Sequence, residues 1–513
     1  MKDIKEKVGV IDIGSNSIRL VIHEVDEKRG FREIHNLKKV ARLSDHINEE
    51  QKLTIKGFEV LKNALIQFEE VMSFHRVASV QAVATAAIRN AANQQRIIDY
   101  IQTETSLPVR VLSGEEEAYY GYLAVVNSTS VKEGITIDIG GGSTEITMFK
   151  DKKLIHSHSF PFGALTLKKK YLQDTNGNKA ELKKLASFVK DEFSKLEWLH
   201  RSKLPVIGIG GSARNMALVH QAETKYPLSG LHQYIISTKG VMSTLDLFES
   251  NSLSERENIE GLSKDRADVI IPAVRVIHLL IEHVSAPYFM MSNKGLRDGL
   301  LYEELLKDYQ AEFFPEAAEE SFFQLMREFE MHEDYVQEVG RIARQLYEQF
   351  EPHLPEKLLH EENERLLRMS ARVLYIGEFI SGEASSQHTF YLLTNRSIDG
   401  ISHRERLAMA FIASFKSKSW LKQFAQPFDN YLTKDKLKRL ELLGSLLKLA
   451  YSLNRTHRKI VQHIEVADHS KALNVHIFCR DNTASYFEEV KSDKYKKHIE
   501  KVLNKDIELH FHE

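Results

Sequence analysis

Two short stretches carry residues suited to handling an anion. Gly14-Ser15-Asn16-Ser17 follows Asp12-Ile13, and Gly140-Gly141-Gly142-Ser143-Thr144 follows Asp138-Ile139. Glycine lets the backbone approach an anion closely. Consecutive N–H groups can form a concave nest, and Ser/Thr hydroxyls add donors. Asp12 and Asp138 repel a phosphate themselves but suit a divalent cation, or a metal-bound water, lying beside one. Either stretch alone fits an ordinary hairpin turn with a buried, hydrogen-bonded Asp; the matched pair points to phosphate. A third glycine-rich turn at 208–212 follows a strand pattern and opens a helix, whose N-terminus at Gly211 and Ser212 favours anions. Glu115, Glu116 and Glu117 precede a helical run. One of them could deprotonate water for phosphoanhydride hydrolysis; an acidic first turn that complements the helix dipole is the alternative. His156 and His158 form an H-x-H pair that fits a metal or, equally, a solvent face, and the other histidines lack zinc spacing.

The elements that must position these residues follow from periodicity. Residues 8–25 and 134–150 each read as an apolar strand, a tight turn and a second strand. Asp12 and Asp138 stand 126 positions apart at equivalent places, which fits a duplicated α/β domain. Between the hairpins, 55–75, 90–104 and 114–127 read as helices, and 77–84 and 109–112 as strands. The second half repeats the alternation, with a helix near 179–199, a strand at 206–209 and a helix over 265–283 that Pro272 should kink or break. From about 305 to 454 long charged amphipathic helices take over. Strands return at 462–466, 472–478 and 507–512, with a helix near 493–503. The expected domains are therefore 1–124, 125–305, 306–454 and 455–513.

Composition bounds the partners. Of 513 residues 42% are hydrophobic and 28% charged, enough apolar side chain for several cores. The single cysteine, Cys479, excludes an intrachain disulfide framework and a cysteine-rich metal site. No apolar run approaches the roughly 18–20 residues of a membrane span, and the N-terminus leads into a strand pattern rather than a signal peptide. A cytoplasmic protein without membrane partners is expected. The aromatics are scattered with no RNA-binding signature, so no nucleic-acid partner is expected. Net charge is −2, but its distribution is uneven: residues 416–459 hold 11 Lys/Arg against 3 Asp/Glu. This is either a set of solvated helix faces or a basic path for a polyanion.

The motif order resembles one family. Asp-Ile-Gly-Ser-Asn-Ser from Asp12, then ATAAIR (84–89), SGEEEA (113–118), DIGGGSTE (138–145), GIGGSAR (208–214) and SNKGLRDGLLY (292–302) looks like the exopolyphosphatase and guanosine pentaphosphate phosphohydrolase family. The resemblance implies a duplicated actin/Hsp70/sugar-kinase-like (ribonuclease H-like) α/β fold, then an α-helical HD-like domain and a small C-terminal α+β domain. It implies that Glu117 is the catalytic carboxylate. Asp138 and Glu145 look like metal-linked or water-positioning carboxylates. Asn16, Ser17, Gly140, Gly141, Ser143 and Thr144 look like phosphate donors, and Arg89 and Arg266 like phosphate-facing arginines, whose planar fork suits phosphate oxygens. Asp12, Asp138 and Glu145 would make an oxygen-rich site for Mg²⁺ or Mn²⁺. A homodimer is implied as well. In the helical part Leu374, Tyr375 and Lys416 stand where HD-type phosphohydrolases carry metal ligands, and only His388 keeps its type.

The favoured expectation is removal of terminal phosphate from inorganic polyphosphate. The alternative is 5′-phosphate removal from guanosine pentaphosphate. From other classes, an actin-like-fold kinase or ATPase and a non-catalytic polyphosphate-binding protein also fit the loops.

Overall fold

The computed structural model describes residues 4–27, 30–174, 176–307, 311–469 and 472–512. The chain divides into two compact units. One comprises Met1–Tyr226 with Leu231–Glu320, and the other Pro227–Gly230 with Ser321–Glu513.

The first unit contains two sheets of the same plan. β1 (Ile4–Ile13), β2 (Ser17–Asp26), β3 (Phe31–Val40), β4 (Ser79–Ala84) and β5 (Val109–Val111) form one sheet in the order β3-β2-β1-β4-β5. β6 (Gly134–Ile139), β7 (Thr144–Lys150), β8 (Lys153–Phe160), β9 (Val206–Ile209), β10 (Tyr234–Ile236) and β11 (Phe289–Met291) form the other, ordered β10-β11-β9-β6-β7-β8. In each, an antiparallel hairpin is extended by a third antiparallel strand, while its first strand pairs in parallel with the next βα unit. This is the duplicated α/β architecture that the two hairpins predict, and the actin-like one that the family resemblance implies. β3 escapes the sequence pattern because most of its residues are at least partly exposed and it has no apolar alternation.

Period two decides which side chains reach the space between the sheets. Ile11 and Ile13 enter a core with Leu61, Leu65 and Phe68 of the helix Ile55–Phe74. Val10 points the other way, into a core shared by both halves with Val83, Tyr120, Ile207 and Ile209. Asp12 lies on Val10's face, where that shared core gives way to a cleft. Ile137 and Ile139 enter the core of the second half, so Asp138 faces the cleft as well. The helix Gly114–Ser128, buried from Tyr120 onward, runs through the shared core. The helix Leu296–Lys307 packs on it so closely that a Cβ at Gly299 would stand 2.1 Å from the Tyr120 carbonyl oxygen.

Pro272 does not kink a helix. The chain makes a 3₁₀ turn at Lys264–Arg266, and the helix begins afresh at Ile270, so the proline sits in the first turn. There its missing N–H breaks no intrahelical bond.

In the second unit, among the described residues, the α-helices from Glu333–Phe350 to Lys434–Leu453 and then Tyr486–Leu503 are accompanied by the three-stranded sheet β12 (Val461–His469), β13 (Ala472–Cys479) and β14 (Asp506–His512), in that order. The basic stretch 416–459 is not one solvated path. Arg439 and Lys448 are buried, Arg439 lies 3.5 Å from Glu362, and Lys418 lies 3.6 Å from Glu441. Leu374 is buried and the Tyr375 hydroxyl donates to the Phe415 carbonyl at 3.1 Å. Lys416 covers the Trp420 ring at 5.0 Å, and His388 Nδ1 is buried without a hydrogen-bond partner. No helix among the described residues is long and apolar enough to cross a membrane.

Candidate active site

The two turns are built alike. Gly14 N–H donates to the Ser17 carbonyl at 3.1 Å and Gly140 N–H to that of Ser143 at 3.0 Å. Their remaining carbonyls are drawn outward. Asn16 O accepts from Ala41 and Arg42 N–H, and Ser15 O from Ser44 N–H. Gly140 and Gly141 O accept from Ala164, Leu165 and Thr166 at the start of the helix Ala164–Tyr171. Among the described residues, the N–H groups of Ser15, Asn16, Gly141 and Gly142 donate to no backbone carbonyl. Both turns thus keep free donors, the condition for an anion nest. Asn16, Gly141 and Arg266 line one small cavity. Thr144 departs from its expected role: it is fully buried and its hydroxyl donates to the Phe162 carbonyl at 2.7 Å, bracing the turn.

Register places the carboxylates. Asp138 pairs with Glu145 across the second hairpin, and Asp12 with Arg19 across the first, so directly opposite residues share the cleft face. The duplication has kept the Asp and exchanged its partner, an acid in one half and a cation in the other. Gly210 begins the helix Gly210–Glu223 at φ +80°, and a Cβ there would meet Asp138 Oδ1 at 2.2 Å; only glycine permits both. One residue on, the Arg266 guanidinium lies against Gly211.

Glu117 and Glu116 separate in role. Ser113 Oγ accepts from Glu116 N–H, and Glu116 Oε2 accepts from Ser113 N–H, a reciprocal cap of the kind worth about 1 kcal/mol. Glu115 is exposed. Glu117, one position past the capping pair, turns inward with its side chain 17% exposed, and accepts from Arg89 Nη1 at 2.8 Å. The same nitrogen donates to the Leu112 carbonyl at 3.0 Å, and Arg89 Nη2 stands 3.8 Å from Glu145 Oε1. Ser159 Oγ donates to Glu145 at 2.9 Å.

Four acids therefore crowd one cleft, and burial raises the pKa of each. Glu117 is pushed up by burial, and Arg89 only partly pulls it back. Glu145 is raised well above an ordinary carboxyl by burial and by Glu117. Asp138 is pushed up to about 6 by burial, with Asp12 adding to it. Asp12 is raised by burial against the pull of Arg297 and Arg19. Shifts of this kind, concentrated in a cleft, make these carboxylates candidates for a functional site. The structure brings Glu117, Asp138, Glu145 and Asp12 into electrostatic range. No three His, Cys, Asp or Glu among the described residues form a metal-holding group as they stand, and Glu145 accepts from Ser159. His156 stacks on Trp198 and His158 packs edge-on against Phe160, so each imidazole has an aromatic neighbour.

Three arginines at this cleft were not singled out from sequence: Arg19, Arg214 and Arg297. Arg214 and Arg297 lie inside the stretches 208–214 and 292–302 and Arg19 in the strand after the first turn, and the signal available was a cation within five positions of a glycine.

Comparison with known proteins agrees with this fold. The chain is 27% identical to a solved Aquifex aeolicus member of the Ppx/GppA protein family, covering 60% of this chain and 99% of that one with a TM-score of 0.53. An exopolyphosphatase structure from Cytophaga hutchinsonii, at 22% identity, shares the fold with a TM-score of 0.53 over 58% of this chain and 98% of that one. Among curated relatives, Exopolyphosphatase 1 of Mycobacterium tuberculosis is 24% identical over 305 residues, 58% of this chain and 88% of that one. The bifunctional 3-dehydroquinate synthase/phosphatase of Fusobacterium nucleatum is 25% identical over 305 residues, 57% of this chain, which spans only 46% of that relative. The profile of the Ppx/GppA phosphatase family matches residues 20–308 and that of its domain III matches 318–494: the chain belongs to the Ppx/GppA phosphatase family.

Proposed function

We propose that the cleft hydrolyses the terminal phosphoanhydride bond of inorganic polyphosphate, releasing orthophosphate, with Mg²⁺ or Mn²⁺ as cofactor. The observation that carries this reading is the Arg89–Glu117–Glu145 group set beside two donor-bearing turns. The turns hold the terminal phosphoryl group through their N–H groups, with Asn16, Ser17 and Arg266 at the rim. Phosphoryl transfer needs positioning and charge stabilisation more than covalent chemistry. Glu117 takes the proton of the attacking water, and its raised pKa brings its basicity toward neutral pH, where a general base works best. Glu145, held by Ser159, orients the same water. Arg89, freed from Glu117 as the phosphate arrives, turns its fork onto phosphate oxygens.

The donor set fits a hard cation. Asp12 and Asp138 offer oxygen only, and Mg²⁺ commonly takes one or two carboxylates plus substrate phosphate oxygens. When bound, the ion supplies charge neutralisation on the phosphate oxygens.

One observation favours the nucleotide reading. A cavity of about 980 Å³ opens off Ser15 and Gly142, lined by Ile47, Ala87, Ala91, Leu165 and Leu172 with the amides of Asn48 and Asn90. A bare phosphate chain has no use for apolar walls, whereas a nucleoside does. The test is to incubate the purified chain with long polyphosphate and, separately, with guanosine pentaphosphate, following orthophosphate and residual chain length. Orthophosphate with slowly shortening chains supports the first reading; release from the nucleotide alone replaces it with the second.

A further inference from the structure

The sheet β12-β13-β14 buries one face and exposes the other. Leu473, Val475, Ile477 and Cys479 of β13 and Ile507 of β14 point inward. The alternate positions therefore point outward, and they gather histidines from separate parts of the chain. His476 of β13 stands directly opposite His510 of β14, and Phe478 opposite His512. On the other side Glu465 of β12 stands opposite His476. The imidazoles meet. His476 Nδ1 and His512 Nε2 are 2.9 Å apart. The His476 ring stacks on those of both His510 and His512, with 5.1 Å between centroids in each pair. His510 Nε2 has no hydrogen-bond partner and lies 3.7 Å from Glu508 Oε2.

The other H-x-H pair shows what this face adds. His156 and His158 also share one side of a strand, but across the ladder they meet Met148 and Ile146, and their rings pack on Trp198 and Phe160. His510 and His512 meet a third imidazole instead. Residues two apart on a strand stand about 6.6 Å from each other and direct neighbours across strands about 4.8 Å, so three imidazoles set in this triangle can reach one ion. Two nitrogens bound tetrahedrally to Zn²⁺, each at about 2.0–2.1 Å, lie about 3.3 Å from each other. His476 Nδ1 and His512 Nε2 therefore need to part by only roughly 0.4 Å to admit the ion between them. As they stand the rings are stacked rather than convergent, and no closed group exists. His510 is 40% exposed, which leaves its side-chain torsions free to turn the unpartnered Nε2 toward the other two nitrogens.

We propose that His476, His510 and His512 form a site for a borderline divalent transition metal, Zn²⁺ foremost, on the exposed face of the C-terminal sheet. Imidazole nitrogen suits such ions, whereas the oxygens of Asp12 and Asp138 suit Mg²⁺ or Mn²⁺; the two places sort ions by donor chemistry. Glu508, beside His510, and Glu465, opposite His476, are placed to fill the fourth position or to accept a ligand's second ring N–H. β14 is an edge strand, and the ion clasps it to β13 through side chains as well as through the backbone ladder. The sequence hides this site because its ligands lie far apart in the chain; the parallel pairing of β13 and β14 makes them neighbours. The inference is independent of the substrate cleaved.

The full chain is titrated calorimetrically with Zn²⁺ in excess Mg²⁺, which occupies oxygen sites, and the bound metal is counted by elemental analysis after dialysis. One Zn²⁺ per chain is expected. His476→Gln and His512→Gln should each weaken it at least about tenfold, since losing even a group behind a metal ligand costs about 10–100-fold. His156→Gln should leave binding unchanged. Co²⁺ in place of Zn²⁺ should give the intense visible absorption of a four-coordinate ion in the parent, and that absorption should vanish in His476→Gln. Amide exchange in the unmodified chain needs no variant: Zn²⁺ should slow it in β13 and β14. No binding in excess Mg²⁺, binding equal in all variants, loss in His156→Gln as well, or exchange slowed only outside this sheet would each overturn the proposal. Orthophosphate release enters none of these readings, so a failure of the proposed hydrolysis leaves them standing.

Discussion

Replacing Glu117 by Gln separates catalysis from stability. The amide keeps an oxygen that can accept from Arg89 Nη1, so the 2.8 Å contact has a substitute. Exchanging a charge-assisted bond for a neutral one costs about 1 kcal/mol. Against this, the variant removes a carboxylate whose charge is disfavoured by burial and by Asp138 and Asp12, and relieves Glu145 of its nearest acid. These terms oppose each other, and the unfolding free energy should stay within about 1 kcal/mol of the parent. Turnover has no such compensation. A general base contributes about 10²–10⁴-fold, or roughly 3–5 kcal/mol of barrier. Orthophosphate release from saturating polyphosphate should fall by that factor, with affinity held or improved because one negative charge near phosphate is gone. Glu115→Gln, on the exposed side of the same turn, serves as control and should be near neutral. Turnover of Glu117→Gln within threefold of the parent, in a folded protein, refutes the assignment of the base and moves it to Glu145.

Three further outcomes follow from the same structure. EDTA should abolish hydrolysis and Mg²⁺ restore it, measured as orthophosphate release; full activity in metal-free protein contradicts the role of Asp12 and Asp138. Burial depresses the His23 imidazole to about 4, so the folded state refuses a proton that the unfolded chain accepts near 6.5. The stability this contributes is complete above pH 6.5 and is lost as pH falls toward 4, about 3 kcal/mol in all; denaturant titrations of the parent and His23→Gln across that window should differ in slope, and parallel curves refute it. Residues 321–513, expressed as a separate chain, should release no pyrophosphate from guanosine tetraphosphate; metal-dependent release would show that Leu374, Tyr375 and Lys416 have not silenced that unit.

The fold was legible where chemistry and periodicity coincide. The two hairpins, the strand at 206–209 and the helix opening at Gly210 stand where their patterns put them, because glycine turns and apolar runs are local signals. β3 was hidden because it lies on the sheet edge with few buried side chains. The region around Pro272 departs from a single helix because a 3₁₀ turn and a helix start read as one period in the sequence. At the site, the residues alone leave Glu115, Glu116 and Glu117 open and the family resemblance singles out Glu117; the structure adds that Ser113 and Glu116 form a reciprocal cap while Glu117 meets Arg89. Thr144 was assigned from its type, and only the pairing of its hydroxyl with Phe162 shows that it faces away. Arg19, Arg214 and Arg297 were invisible for a different reason. Their convergence depends on three elements meeting, which no local pattern in a sequence encodes.

The central claim is that water, activated in this cleft, attacks the terminal phosphorus of a phosphoanhydride chain. Hydrolysis of long polyphosphate in ¹⁸O-labelled water tests it most directly. The account predicts one ¹⁸O atom in each released orthophosphate and none in the shortened chain, with the rate collapsing in Glu117→Gln. Orthophosphate without label, label in the remaining chain, or release undiminished in that variant would contradict it.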